Sequence, residues 1–212
     1  MRGLLIGIGA VIAIAGFTAS AAPVQRAPAS FIPPSAGDER FLESWFGAEL
    51  RTAGLKPLWT RQGLEGFQAR YRLLFAGGSA GVTIVTIDVE QDGSAVAIQM
   101  RKRPGGIVER DQRALYIPGQ IAWTDRRELT NGPIRRLEQL FDSQHFFRQS
   151  FRSANPIADE MAASKCSDGV SYLIEVRDSS GYNAVTRNSC DKDDVSPLID
   201  AVMRLSGGWP RR

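Results

Sequence analysis

The chain has 212 residues, with 26 lysines and arginines against 23 aspartates and glutamates, and its formal net charge is +3. This balance is too mild to predict a nucleic-acid partner, because nucleic-acid-binding domains concentrate strongly basic surfaces. One histidine and two cysteines exclude the common zinc-binding spacings, and no glycine-rich stretch has the lysine of a phosphate-binding loop. The sequence therefore predicts no metal and no cofactor. Its length suits one domain or two small ones.

Residues 1–21 have the organisation of an export signal. Arg2 supplies a positive start, residues 4–17 are apolar or glycine, and residues 19–21, Ala-Ser-Ala, are small enough for cleavage. The apolar run is short of the ~20 residues that a membrane-spanning helix needs, although an uncleaved anchor is the alternative. We therefore predict a bacterial protein, periplasmic or secreted, that starts at Ala22 and has no transmembrane span after cleavage.

Residues 22–37 are rich in proline, alanine and serine, which is typical of an extended tether. Phe31 and Ile32 stand out within it, and they could instead dock on the folded domain. We predict a single domain over residues 38–208, with two lobes divided near residues 125–132 as the alternative. Residues 209–212 form a predicted tail.

The domain begins with a predicted helix over residues 38–53. Asp38 can cap its start, and Gly54 stands where a left-handed residue ends a helix. Glu49 is an exception, because helical spacing places its carboxylate within the apolar stripe. That stripe consists of Phe41, Leu42, Trp45, Phe46 and Leu50.

Three strands predicted over residues 67–75, 82–90 and 94–102 form an antiparallel meander. The Asp92-Gly93 pair between the second and third strands is a strong hairpin signal. Alternation in the second strand turns Asp88 and Glu90 outward. After the meander, residues 101–106 predict a basic, exposed turn, and short strands follow at 114–117 and 120–123.

Two further helices are predicted in the second half of the chain. Pro133 opens one of them, which ends near Ser143. The other begins at Ser196-Pro197 and ends at residues 207–208, Gly-Gly.

Residues 166–190 contain the clearest strand pattern in the chain. Val170, Tyr172, Ile174 and Val176 share one face of an alternating run, and Leu173 is an exception on the other face. Residues 178–181, Asp-Ser-Ser-Gly, predict a turn, and residues 182–187 a returning strand. Pairing about that turn brings Cys166 and Cys190 nearly opposite each other, so we predict a disulfide-stapled hairpin.

The element order of helix, meander, helix, hairpin and helix predicts an α+β fold. In it, the antiparallel sheet consists of the meander and the C-terminal hairpin, and three helices pack on one face. A domain of this size buries enough surface to fold without the disulfide, which would add ~3 kcal/mol of stability.

Candidate catalytic groups are sparse. His145 is the only histidine, and a serine-based triad lacks its usual Gly-x-Ser-x-Gly signature. The carboxylate pairs Asp88 with Glu90 and Glu109 with Asp111 have the spacing of strand residues on one face. The acidic run Asp191, Asp193 and Asp194 lacks the glycine and distal glutamate of a calcium-binding EF-hand loop.

Candidate partner-contact residues are Arg101, Lys102, Arg103 and Trp209. The three basic residues could face an anionic component of the envelope, and Trp209 could anchor a protein partner. We therefore expect an exported binding or accessory module of the cell envelope without catalytic activity. The alternative is a small periplasmic hydrolase that uses aspartate and glutamate carboxylates, with His145 as a further candidate. The sequence leaves the oligomeric state open.

Overall fold

The computed structural model describes residues 30–37, 40–77, 81–152, 169–191 and 195–209. The predicted export signal, the capping residue Asp38, Cys166, and the pair Asp193 and Asp194 lie outside these residues.

Six strands form one sheet in the order β6-β3-β2-β1-β7-β8, and each neighbouring pair is antiparallel. The predicted meander is confirmed as β1, β2 and β3. The order places β1 at the centre, between β2 and the later strand β7. The strands are β1 Phe67–Ala76, β2 Val82–Glu90, β3 Ala95–Lys102, β6 Ile121–Leu129, β7 Ser171–Arg177 and β8 Tyr182–Asn188.

A separate two-stranded sheet consists of β4, Gly106–Arg110, and β5, Arg113–Ile117. The sequence predicted β5 but not β4. It also predicted a short strand ending at residue 123, whereas β6 extends to Leu129 and includes residues 125–129.

Three helices lie in the described part of the chain. Helix α1 is continuous but changes geometry, because it is α-helical at Arg40–Leu42, π-helical at Glu43–Gly47 and α-helical again at Ala48–Thr52. Helices α2, Asn131–Ser143, and α3, Ser196–Ser206, agree with the two later predictions. The α+β class with an antiparallel sheet is thus confirmed.

The prediction that the helices share one face of the sheet is wrong. Leu73 belongs to a core formed with α2 and α3, whereas its neighbour Leu74 belongs to a second core formed with α1. Successive strand residues point to opposite faces, so the central strands are covered on both sides. Leu173, the exception in the predicted alternation, packs in the second core.

Charged residues on the α1 face are buried as pairs. The Arg72 guanidinium donates to Glu175 at 3.0 Å and to the Lys56 carbonyl at 2.7 Å. Arg70 makes a bidentate contact of 2.8 and 2.9 Å with Asp88, which is nearly buried. The expectation that Asp88 faces solvent is therefore wrong, because the chain between α1 and β1 covers this part of the sheet.

Residues 30–32, within the predicted tether, pack against α1. Phe31 and Ile32 are buried in the second core, and both backbone amides donate to the Glu43 carboxylate. Burial opposes ionisation of Glu43, but hydrogen bonds from Ser30, Ile32, Arg51 and Phe31 outweigh it and lower its pKa. Residues 30–32 therefore dock on the folded domain, which was the alternative to an extended tether.

Strands β7 and β8 form the predicted C-terminal hairpin. The Asp178 carboxylate organises its turn by accepting from the backbone amides of Ser180 and Gly181. Cys190 lies two residues beyond β8, where Asn188 accepts a hydrogen bond from its amide. Because Cys166 lies outside the described residues, the disulfide stays a prediction.

Among the residues that the structure describes, every helix is too short or too polar to span a membrane.

Candidate binding site: the groove beneath the β4–β5 hairpin

The β4–β5 hairpin extends from the end of the β3–β6 pair. The Arg103 amide donates to the Gln120 carbonyl at 2.9 Å, and this bond joins the two segments that lead into the hairpin. A side chain at Gly119 would collide with the Arg103 carbonyl, so the close approach requires glycine there. The predicted exposed turn over residues 101–106 is instead the junction between the sheet and this hairpin.

The turn of this hairpin has no glycine. Asp111 and Gln112 occupy its two central positions with φ of 51° and 61°, and Arg110 pairs with Arg113 across it. Positive φ at both positions is the signature of a type I′ turn, in which Asn-Gly or Asp-Gly is usual. Because that signal is absent, sequence reasoning missed β4.

The hairpin exposes an unusual amount of apolar surface. Ile107 is 76% exposed, and Val108, Leu115 and Ile117 are also exposed. Phe41 on α1 faces the same region and is exposed as well. The strand register places Ile107 on one face of the hairpin and Val108, Leu115 and Ile117 on the other, so both faces expose apolar side chains. Exposed apolar surface of this extent on a folded protein usually marks an interaction site.

A groove of about 630 Å³ separates the hairpin from α1 and from the ends of β1 and β2. Its volume is in the usual range for binding sites in proteins. None of the described residues that line the groove is charged. The lining residues are Phe41, Ser44, Trp45, Ala76, Gly77, Gly81, Val82, Pro104, Gly105, Gly106, Ile107, Ala114, Leu115 and Tyr116.

A buried polar network anchors the hairpin beside this groove. The Tyr116 hydroxyl of β5 donates to Glu49 of α1 at 2.5 Å, and Glu49 forms an ion pair with Lys102 of β3. Lys102 also donates to the Glu49 carbonyl at 3.0 Å and to the Thr52 hydroxyl at 2.5 Å. Burial raises the pKa of Tyr116, and the hydrogen bond to Glu49 and its negative charge add to the effect.

The network explains why Glu49 stands within the apolar stripe of α1. Glu49 is 0% exposed and Lys102 is 1% exposed, so each charge is neutralised by the other. Lys102 therefore does not belong to an exposed basic cluster, and it is not available for the partner contact that the sequence suggested. Its position as the last residue of β3 turns its side chain toward α1.

The other candidate contact residues lie apart from Lys102. Strand pairing places Phe75, Thr83, Arg101 and Trp123 in one row on the α3 face of the sheet. The Trp209 ring packs on Phe75 with a centroid distance of 5.3 Å and remains 50% exposed. Arg101 and Trp209 thus belong to one surface, which we call the aromatic–arginine row, whereas Arg103 is exposed at the hairpin junction.

The candidate catalytic residues do not converge in the described part of the chain. His145 is exposed after α2 in a left-handed conformation, with φ of 50°. Asp88 is held by Arg70, whereas Glu109 and Asp111 are exposed near the tip of the β4–β5 hairpin.

Three other carboxylates do gather, at a depression of about 190 Å³ beside Tyr71. They belong to Glu138 and Asp142 of α2 and to Asp178 of the β7–β8 turn. Burial, together with these negative charges, raises the pKa of Tyr71. His145 does not line this depression. Within the described residues, no group of three or more histidines, cysteines or carboxylates has the geometry to hold a metal ion.

Asp191, from the acidic run, has a structural role. Its carboxylate accepts a hydrogen bond from the Asn188 amide at 2.7 Å, and its own amide donates to the Asn188 carbonyl at 2.9 Å. These bonds close the turn that follows β8.

No protein-family model matches the chain. No curated protein is significantly similar to it in sequence.

Proposed function

We propose that the protein is an exported, non-catalytic binding or accessory module of the bacterial cell envelope. The observation that carries this proposal is the exposed apolar β4–β5 hairpin above a groove whose lining, in the part of the chain that the structure describes, is uncharged. The partner is another envelope protein or an anionic component of the envelope.

The hairpin supports a binding role because its apolar side chains are exposed to water, which is unfavourable in free energy when no partner is bound. A two-stranded sheet alone is marginally stable in water. This one is joined to α1 through the Tyr116 hydroxyl and through the edge contact of Trp45 with the Tyr116 ring. A partner that covers Ile107 and its apolar neighbours removes that surface from water and stabilises the hairpin.

The aromatic–arginine row supports a second contact. Arg101 pairs with Trp123 across β3 and β6, and Trp209 packs on Phe75 in the same row. Arginine and tryptophan are enriched among residues that dominate binding energies. This composition suits an anionic group of the envelope that contacts arginine and the aromatic rings together.

Quantitative affinity capture from envelope extract tests the proposal. The exported protein is compared with Ala114→Glu, which places a charge in the groove, and with Ala122→Glu, which places the same charge on exposed β6. We expect specific proteins or lipids to be captured by wild type and Ala122→Glu, but to be lost with Ala114→Glu.

Two results would contradict the proposal. If no species distinguishes the two variants, the groove is not the binding surface. If the protein instead hydrolyses a substrate, and changing Glu138 or Asp142 abolishes that activity, the carboxylate hydrolase replaces the binding module.

A further inference from the structure

We propose that an extended, uncharged polypeptide segment of a partner protein adds to the free edge of β4 as a third strand. Alternate side chains of that segment would enter the groove. This inference rests on the proposed binding function and names the chemistry of the partner.

Four strands in the described part of the chain have a neighbour on one side only, namely β6, β8, β4 and β5. The β8 edge is partly occupied, because the Thr186 amide donates to the Phe151 carbonyl at 2.6 Å. Charge does not separate β4 from β6, since two of the five β4 residues and four of the nine β6 residues are charged. Their positions differ, because β4 continues β3 on the side of β2, whose first residue Val82 lines the groove, whereas β5 leads into the outer strand β6. The β4 edge is thus the one beside the groove, where an added strand can use both.

The hairpin register identifies which backbone groups of β4 point outward. Arg110 and Arg113 close a two-residue turn, so they form a hydrogen-bonded pair. Pairs in an antiparallel ladder alternate, so Ile107 and Glu109 occupy the non-hydrogen-bonded positions. Their amides and carbonyls therefore point away from β5, where an added strand can bond to them.

The groove beside β4 restricts the chemistry of that strand. Its lining offers apolar side chains and four glycines, and none of the lining residues that the structure describes carries a charge. A buried charge without a partner is costly, so the segment must present uncharged side chains there. The open backbone edge favours a polypeptide over a lipid, because an acyl chain cannot use its hydrogen-bonding groups. Backbone bonds then give affinity, and the groove selects alternate side chains.

A second copy of the chain fits this edge less well. The groove is concave, and two identical concave surfaces do not complement each other. A single extended segment of a partner can lie in the groove without this mismatch.

A main-chain substitution tests the proposal directly. Glu109→Pro removes the outward amide of β4, whereas Glu109→Ala removes the same side chain and keeps the amide. The probe is the peptide most enriched on the exported wild-type protein from a displayed library of uncharged heptapeptides, measured by fluorescence anisotropy. We expect Glu109→Pro to weaken its binding about tenfold or more and Glu109→Ala to change it by less than about twofold.

A second measurement leaves the protein unchanged. N-methylation of alternate amides in the probe peptide should abolish binding in one register and spare it in the other, because only alternate amides face β4. Circular dichroism and urea unfolding of both variants control for folding.

Several results would overturn the inference. These are the absence of any enriched heptapeptide, equal affinities of the Pro and Ala variants, binding to phosphatidylglycerol vesicles but not to peptides, or a dimer in sedimentation that Glu109→Pro dissociates. If the species captured from envelope binds Glu109→Pro as well as wild type, this inference fails and the binding function stands. If Ala114→Glu loses no captured species, the binding function itself fails.

Discussion

The β7–β8 and β4–β5 hairpins are built alike but exist in opposite environments. Each has two antiparallel strands joined by a tight turn with an aspartate in it. The β7–β8 hairpin lies against the central strand β1 and has helices or loops over both of its faces. The β4–β5 hairpin has no third strand in the described part of the chain, and its residues are mostly exposed.

The difference shows that strand pairing within a hairpin does not determine whether the hairpin contributes to the hydrophobic cores. The β7–β8 hairpin supplies Ile174 and Leu173 to the two cores and Glu175 to a buried ion pair. Substitutions there should lower the stability of the whole fold. Substitutions in the β4–β5 hairpin should change the hairpin and its binding, and leave the cores largely intact.

The largest effect is expected from Glu175→Ala. This change leaves the buried Arg72 guanidinium without its countercharge and the Tyr182 hydroxyl without its acceptor. Breaking a buried ion pair from one side costs about 3–5 kcal/mol, so the free energy of unfolding in urea should fall by that amount. Tyr182→Phe is the control, with an expected loss of about 1 kcal/mol. Equal losses from both variants would contradict a role for the ion pair.

The next largest effect is expected from Cys190→Ser, if the predicted disulfide with Cys166 forms. Loss of a cross-link over a loop of this length lowers the free energy of unfolding by about 3 kcal/mol, because the unfolded chain gains freedom. Reduction of the wild-type protein should give the same loss. Alkylation of both thiols in the unreduced exported protein would disprove the pairing.

A smaller and more local effect is expected from Tyr116→Phe. The change removes the hydrogen bond that joins the β4–β5 hairpin to Glu49. A hydrogen bond to a charged group contributes about 1.5–3 kcal/mol, so amide exchange across residues 106–117 should accelerate. Exchange in β7 and β8 should not change. Acceleration throughout the sheet would show that the hairpin is not a separate unit.

The same tyrosine gives a prediction about pH. The folded-state pKa of Tyr116 is raised above its ordinary value of 10.0 by burial and by Glu49, so its contribution to stability is full below pH 10. That contribution is lost as the pH rises through the folded-state pKa. The urea midpoint of wild type should therefore fall more steeply in alkaline buffer than that of Tyr116→Phe. Parallel curves would contradict this titration.

The smallest effect is expected from Gln112→Gly. Glycine adopts positive φ without the steric cost that Gln112 bears at φ of 61°, although it also loses more entropy on folding. We expect a net gain of about 0.5 kcal/mol, confined to the hairpin and visible as slower amide exchange there. Faster exchange would mean that the glutamine side chain makes a contact that offsets the strain.

Much of the fold follows from the sequence because its strands and helices have regular patterns. The meander, the C-terminal hairpin and the helices α2 and α3 are all found near their predicted positions. The second hydrophobic core, on the α1 side of the sheet, was not predicted. Two exceptions to the patterns, Glu49 and Leu173, were signs of it, because each is buried on that side.

The candidate site was less accessible to prediction, for two physical reasons. The type I′ turn at Asp111 and Gln112 lacks glycine, so nothing in the sequence separates β4 from a basic loop. Lys102 looks exposed because it stands between two arginines. Its partner Glu49 is 53 residues away in the chain, and only the packing of α1 on β3 brings them together.

The central position of β1 has a consequence for how the chain folds. Its partner β7 is synthesised long after the meander, and the ion pair of Arg72 with Glu175 spans 103 residues. Strands that are far apart in the sequence pair slowly, because closing the long loop between them costs conformational entropy before their contacts form. In any state in which β7 has not yet paired, β1 is an edge strand and Arg72 is a charged residue in its middle. Charged side chains on an edge strand oppose pairing with other chains, so we expect Arg72 to oppose aggregation of the incomplete sheet as well as to stabilise the complete one.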